Sequence, residues 1–395
     1  MRDVVYLAWR YLVFNRWKTG ILIAALTVII FLPLALELVL DRSSERLRAR
    51  AADTPLLFGA PGSALELSLG ALYFSGESPA PLEYAAVAEL GDTGLATAIP
   101  LHLGYRVGLQ PLVGTSPDYF RFRNLAVAAG RPLALSGETV LGAAAAQALD
   151  AAPGDGVVTA PESVFDVTGT YPVRLRVVGV LAPTGTPDDE AVFVDVRTAW
   201  IIGGIGHGHE NLEDPTASGS VLKRDDSNIV ANAALVQYRE ITPENLAEFH
   251  FHGAIDGFPL SAVIAVPADG KSGVLLEGRY QAPDSPVRVV RPAEVMEELL
   301  ATVFTVRQYV LAAVALVGAA TLATTALVFL LSIRLRRAEI RTMTRIGAAP
   351  GRVAAILGTE ILLVLAASVL LAGLLTAAAA TWGDEMFRWL LLSET

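Results

Sequence analysis

Apolar positions fall into two regimes along the 395-residue chain. Long unbroken apolar runs occupy one stretch near the start and two near the end. The first covers residues 21–40, and its 20 residues at 1.5 Å rise span about 30 Å, the thickness of a bilayer core. Pro33 kinks such a helix without excluding it. Runs at 309–333 and 353–381 predict a second and a third crossing. Ahead of the first, residues 4–14 (VVYLAWRYLVF) are aromatic and apolar with Arg10 among them, the pattern of an interfacial helix lying along a membrane leaflet. The first run exceeds the apolar core of a signal peptide, so it reads as a retained anchor.

Between the anchors the texture changes. Short β-branched runs alternate with Ala-rich patches and Gly/Pro turns, which predicts mixed α/β structure. Residues 82–90 read as a helix, and 105–109 and 112–114 as strands. The stretch 138–156 reads as a strand, a helix at 143–149 and a Pro-Gly-Asp turn. Strands are further expected at 173–181, 191–196, 234–238, 262–266 and 287–290. Residues 203–228, rich in Gly, Asp and Ser, read as a loop or insertion. From Pro292 a helical pattern continues without a breaker into the second crossing. The expected fold class is an α-helical membrane anchor of three transmembrane helices carrying a large extracytoplasmic mixed α/β domain.

Charge orients this arrangement. The loop 334–352 holds six Arg and one acidic residue, Glu339, and the positive-inside rule places it in the cytoplasm. Arg2, Arg10, Arg16 and Lys18 place the N-terminus there too. The divisions are then an interfacial segment (1–19), a first crossing (20–40), an outer domain (41–302), a second crossing with its stalk (303–333), a cytoplasmic loop (334–352), a third crossing (353–381) and an outer tail (382–395), in a bacterial inner membrane. Arg42, Arg46, Arg48 and Arg50 stand against the rule on the outer side, partly offset by Asp41 and Glu45. The formal charge of −10 argues against a nucleic-acid partner, and the absence of Cys excludes disulfides and thiolate metal sites.

The cytoplasmic loop carries Arg336, Arg337, Glu339, Ile340, Arg345, Ile346, Gly347, Ala348 and Ala349 in the order RRxEI…RIGAA. The outer region carries GETVLG (137–142), an Ala-rich helix, PGD (153–155) and VVGVL (177–181). In these motifs and their order the chain resembles the MacB/FtsX-type ABC transporter permeases, the group that includes the lipoprotein-releasing permeases. The resemblance implies a non-catalytic subunit that couples ATP hydrolysis by a separate cytoplasmic ATPase to movement of its outer domain. It implies no cofactor in this chain, ATP and Mg²⁺ being bound by that partner, and a second permease copy, identical or not. The loop would be the ATPase-coupling element, through Arg337, Glu339, Ile340, Arg341, Arg345 and Gly347. A regulatory role, activating an extracytoplasmic partner without transport, is the alternative. The family has four crossings where three are read here, giving six rather than eight in a dimer.

Other positions invite chemistry. Ala312, Ala315, Ala319, Ala323 and Ala326 alternate at three- and four-residue spacing, a smooth face for helix packing, with Gly358 and Gly373 in small-xxx-small pairs on the third span. Glu360 lies within that span, where a carboxylate needs a partner or reaches back to the surface beside lipid headgroups. His207 and His209, and His250 and His252, form two HxH pairs whose alternate side chains share a face and suit Zn²⁺ or Cu²⁺. Asp188, Asp189 and Glu190 read as a solvated turn. Residues 265–272 (AVPADGKS) fit a phosphate loop only loosely, and no nucleotide is expected there.

Overall fold

A computed structural model describes residues 2–75, 80–160, 172–208, 221–225, 228–231, 240–242, 244–280, 282, 285–346 and 348–392, with side chains omitted at 221–225, 228–231 and 382–392. The chain divides into a helical unit, Met1–Glu45 with Leu300–Thr395, and a sheet unit, Arg46–Leu299.

The chain opens with α1 (Arg2–Phe14) and α2 (Arg16–Ala52), joined at Asn15. The sheet unit then runs β1 (Leu56–Gly59), α3 (Ala64–Tyr73), β2 (Leu82–Glu83), α4 (Ala85–Asp92), β3 (Ala96–Val107), β4 (Gln110–Thr115), α5 (Pro117–Phe122) and β5 (Val127–Gly130). It continues through β6 (Glu138–Leu141), α6 (Ala143–Ala148), β7 (Gly156–Val158), β8 (Arg174–Leu181), β9 (Val192–Asp195), α7 (Val196–Ile202) and β10 (Gly206–Gly208). Last come β11 (Val221–Asp225), β12 (Asn228–Ala231), β13 (Phe249–Phe251), β14 (Pro259–Leu260), β15 (Ala262–Pro267), α8 (Gly270–Arg279) and β16 (Arg288–Val290). The chain closes with α9 (Pro292–Leu335), α10 (Arg337–Arg345) and α11 (Pro350–Leu392).

Ten strands form the main sheet in the order β16-β1-β15-β3-β4-β9-β6-β8-β5, with β7 also on β8. Only the β4–β9 and β6–β8 pairs are parallel among those described. Alternate strand residues face opposite sides. Leu57, Val113, Val140, Phe193 and Ile264 meet Leu72 and Tyr119 on one side. Leu56, Phe58, Val263 and Ala265 meet Leu90, Trp200 and Phe258 on the other, and Leu112, Leu141, Val192 and Val194 meet Ala145, Ala199 and Ile202. Burial on both faces explains why β1 and β9 are apolar at consecutive positions rather than alternating. Close layers demand glycine at particular points: a Cβ on Gly142 would sit 2.2 Å from the Asp188 carbonyl oxygen and 2.4 Å from that of Asp189.

Several expectations need correction. Residues 82–90 are not one helix; β2 pairs with β14 before α4 begins. The supposed loop 203–228 contains β10 and β11. Asp188 is not solvated but 1% exposed. The strand expected at 234–238, and His209 and Gly347, lie outside the described residues. The tail continues α11 as helix to Leu392.

In the helical unit α2, α9 and α11 are long and apolar enough to cross a membrane. Their shared seam is made by Leu22, Leu26, Phe329 and Val364, with Leu12 of α1. Thr27 and Ser368 reinforce it, Ser368 Oγ donating 2.8 Å to the Val364 carbonyl and Thr27 Oγ1 3.4 Å to that of Ser368. Ala312, Ala315, Ala319, Ala323, Gly358 and Gly373 are exposed and take no part in it. Bulkier side chains fill the space between these helices, so the small-residue faces stay on the open side.

Candidate functional site

The loop between α9 and α11 folds as α10, a two-turn helix with none of its residues buried. Arg337, Arg341 and Arg345 recur every fourth position and so form one exposed basic ridge. Ile340 and Met343 are half-buried. Arg336, at the N-cap, is tied into the unit instead. Its Nη1 donates to Glu360 Oε1 at 2.8 Å and Oε2 at 3.2 Å, and its Nε donates to Glu339 Oε2 at 3.3 Å. The guanidinium lies 3.5 Å from the centre of the Tyr11 ring. Tyr11 in turn shares a 3.0 Å hydrogen bond with Ser332 Oγ, to which Lys18 Nζ also donates at 2.8 Å. The start of α10 is therefore joined to α1, α2, α9 and α11. Glu360 is 2% exposed: of its two expected fates, partner or surface, it has the partner. This junction can pass a displacement of α10 to four helices at once, because bidentate and stacked Arg contacts resist rotation.

A second polar cluster, unforeseen, is buried in the sheet unit. Arg50 Nη1 donates 2.6 Å to Asp188 Oδ2, and Nη2 donates 2.9 Å to Oδ1. Tyr119 donates its hydroxyl to Asp188 Oδ1 at 2.7 Å, and Arg50 Nε reaches the Leu72 carbonyl at 2.6 Å. Burial alone would lift the Asp188 carboxyl. The hydrogen bonds and charge of Arg50, with Tyr119, outweigh it and hold the group below the ordinary carboxylate value. The one sequence signal was Arg50 itself, a cation on the wrong side for the positive-inside rule.

The imidazoles of His207, His250 and His252 converge, with all three potential ligand atoms within 4.8 Å of one another. Asp189 is used locally, accepting from the Thr184 and Gly185 N–H groups at 2.8 and 2.7 Å. In the phosphate-loop lookalike, the Asp269 carboxylate accepts from Ser272 N–H at 2.7 Å and so fills the N-terminus of α8, the place an anion would need.

Residues 23–237, more than half of the chain, match the MacB-like periplasmic core domain. The chain belongs to that family. This MacB-like protein thus combines apolar helices able to cross a membrane with an extracytoplasmic domain, the sheet unit. No curated protein matches it. Among solved structures it is similar to the periplasmic region of MacB from Actinobacillus actinomycetemcomitans, at 13% identity over 65% of this chain and 96% of that one, with a TM-score of 0.34. It is also similar to the extracellular domain of the noncanonic ABC-type transporter YknZ from Gram-positive bacteria, at 13% identity over 60% of this chain and 99% of that one, TM-score 0.32. The family assignment rests on the sequence match.

Proposed function

We propose that this MacB-like chain is the permease subunit of an ABC-type machine, coupling ATP hydrolysis by a separate cytoplasmic ATPase to movement of its extracytoplasmic domain. The observation that supports the reading best is α10: an exposed basic ridge whose first residue is anchored to four helices. The ridge of Arg337, Arg341 and Arg345 suits an acidic groove on a soluble partner, and the Arg336–Glu360 pair makes α10 move with the helices rather than as a loose loop. The partner ATPase holds ATP and Mg²⁺. A second copy of the chain completes the membrane part, and lipid covers the remainder. Substrate is moved or released on the outer side, so the chain needs no polar conduit and no catalytic groups of its own. In this mechanotransmission reading the unbroken helix α9 is the element best suited to carry motion.

The test is charge reversal on the ridge. Arg341→Glu with Arg345→Glu, in the chain co-expressed with its ABC ATPase, should abolish co-purification and any stimulation of ATP hydrolysis, while insertion and thermal stability stay unchanged. Arg341→Lys with Arg345→Lys should retain most of both. Undiminished co-purification of the reversed variant would overturn the proposal.

A further inference from the structure

Three of the four paired histidines, His207, His250 and His252, meet at a small two-stranded ladder. Gly206 stands opposite Phe251, His207 opposite His250, and Gly208 opposite Phe249. Alternation along the strands puts glycines and phenylalanines on one side and imidazoles on the other. The glycines are required there: a Cβ on Gly206 would lie 2.5 Å from the Phe251 ring, and one on Gly208 2.7 Å from the Phe249 ring. Phe251 continues inward, with ring-centre distances of 6.2 Å to Trp200 and 5.7 Å to Phe258. One side of the ladder is therefore fastened to the core, and the imidazole side is left accessible.

On that side His207 faces its direct cross-strand partner His250 and its diagonal neighbour His252. The ring centres are 4.7 Å apart for His207–His250, 5.0 Å for His207–His252 and 5.0 Å for His250–His252. Three imidazoles at the corners of a near-equilateral triangle are a facial ligand set. Tetrahedral coordination at about 2.1 Å per bond requires nitrogens about 3.4 Å apart, and the 4.8 Å limit observed leaves a gap that small χ rotations of exposed and half-buried rings close. His250 shows the outer contact that such ligands carry. Its Nδ1 lies 3.1 Å from the Glu248 carbonyl oxygen, which only accepts, so Nδ1 is the donor and Nε2 is the nitrogen left to face a metal.

We propose that the extracytoplasmic domain carries a transition-metal site formed by His207, His250 and His252, taking Zn²⁺ or Cu²⁺. An all-imidazole set disfavours Mg²⁺ and Ca²⁺, which require oxygen, and the chain has no Cys to hold an iron–sulfur cluster. Three ligands leave a fourth position for water or an outside donor. Because β10 and β13 are distant in sequence, a bound ion cross-links them and pins this part of the domain.

The full-length chain in detergent, stripped with chelator and then dialysed, is titrated with Zn²⁺ and separately with Cu²⁺ at neutral pH. The expected result is one ion per chain at micromolar affinity or tighter, a raised thermal midpoint, and nitrogen hyperfine structure in the Cu²⁺ paramagnetic resonance spectrum. His252→Ala, the exposed member, should weaken binding roughly tenfold or more and remove one nitrogen coupling, with the circular dichroism unchanged. The triple Ala variant should lose the stoichiometric site. Absence of such a site in the unaltered chain, or its persistence in the triple variant, overturns the proposal. Should the triple variant fail to fold, undiminished affinity in His252→Ala overturns it equally.

Discussion

The two units solve the problem of buried charge differently. In the sheet unit Arg50 and Asp188 have side chains 6% and 2% exposed and complete one another inside a core packed on both faces of the sheet. Glu138, 3% exposed, is likewise enclosed by Arg131, Arg176 and the N–H groups of Ala134 and Leu135. In the helical unit the principal buried pair, Arg336–Glu360, sits where helix gives way to loop, and the three spans bury only 11–17% of their most apolar stretch within the chain. The sheet unit carries its own core, whereas the helical unit leaves most of its apolar surface uncovered by the chain itself. Polar pairs specify the inside of the first; in the second they mark the junction through which motion would pass.

The sharpest way to break this contrast is to remove the Asp188 charge. Asp188→Asn leaves a buried guanidinium without its counter-ion and should destabilise the sheet unit by about 3–5 kcal/mol, seen as a lowered thermal midpoint and faster proteolysis between residues 46 and 299. Arg50→Met with Asp188→Leu should recover most of the loss, because two apolar groups need no partner. A loss below about 1 kcal/mol in Asp188→Asn would place the pair among ordinary surface bridges.

His102 gives the next largest effect. It is 7% exposed on β3, and burial lowers its imidazole from 6.5 to about 4, with the backbone at Pro259 offsetting this a little. A group whose folded pKa is depressed stabilises above its unfolded pKa and loses that stability as pH falls. The loss should run between pH 6.5 and about 4 and amount to about 3 kcal/mol. Asp188 is depressed below the carboxylate range, so its contribution is lost only at lower pH, in a second phase. His102→Phe should flatten the first phase of a pH series of unfolding midpoints and spare the second. An unchanged first phase would assign the acid sensitivity to other groups.

How much of this was legible depended on whether the deciding partner was local. The three spans and strands such as 174–181, 192–195 and 262–267 were readable, since burial on one or both faces writes itself into consecutive residues. Asp188 was not: a Pro-Asp-Asp-Glu turn looks the same in water and in a core, and Arg50 lies 138 residues away. β10 was hidden because glycine is poor strand material, yet here glycine is what lets the Phe249 and Phe251 rings lie against the ladder. The HxH pairs were visible as pairs, but the convergence of His207 with His250 and His252 depends on a register that only tertiary structure sets. The small-residue stripe was visible too, without any indication of which neighbour it faces.

Glu360→Gln carries the comparison into the helical unit. Removing this charge should cost about 2 kcal/mol, less than the Asp188 change, because Arg336 stands beside the loop with 12% of its side chain exposed and turns toward water once released. The more informative readout is functional. With the anchor of α10 loosened, ATPase binding should persist while hydrolysis no longer changes protease accessibility of the extracytoplasmic domain. Loss of binding instead would show that the pair only shapes α10.

The smallest effect on stability, and the finest test of the contrast, concerns the open faces of α9 and α11. Ala319 is exposed, and a Cβ at Gly373 would meet nothing within 4 Å, so Ala319→Leu and Gly373→Leu should each change the stability of the dispersed chain by less than about 0.5 kcal/mol. Gly318 is the internal control one position away. Its Cβ would lie 3.3 Å from Ile29 Cγ2, so Gly318→Leu should disturb the seam of the chain itself. If the small stripe receives a second copy, Ala319→Leu holds the two backbones apart and should reduce the cross-linked dimer severalfold, while Ala319→Gly leaves it intact. Equal dimer fractions in Ala319→Leu and the unaltered chain would assign that face to lipid. Shared damage in Ala319→Leu and Gly318→Leu would show that both faces already pack within one chain. Only dimer loss without loss of stability fits a helical unit that is finished by its neighbour rather than by its own core.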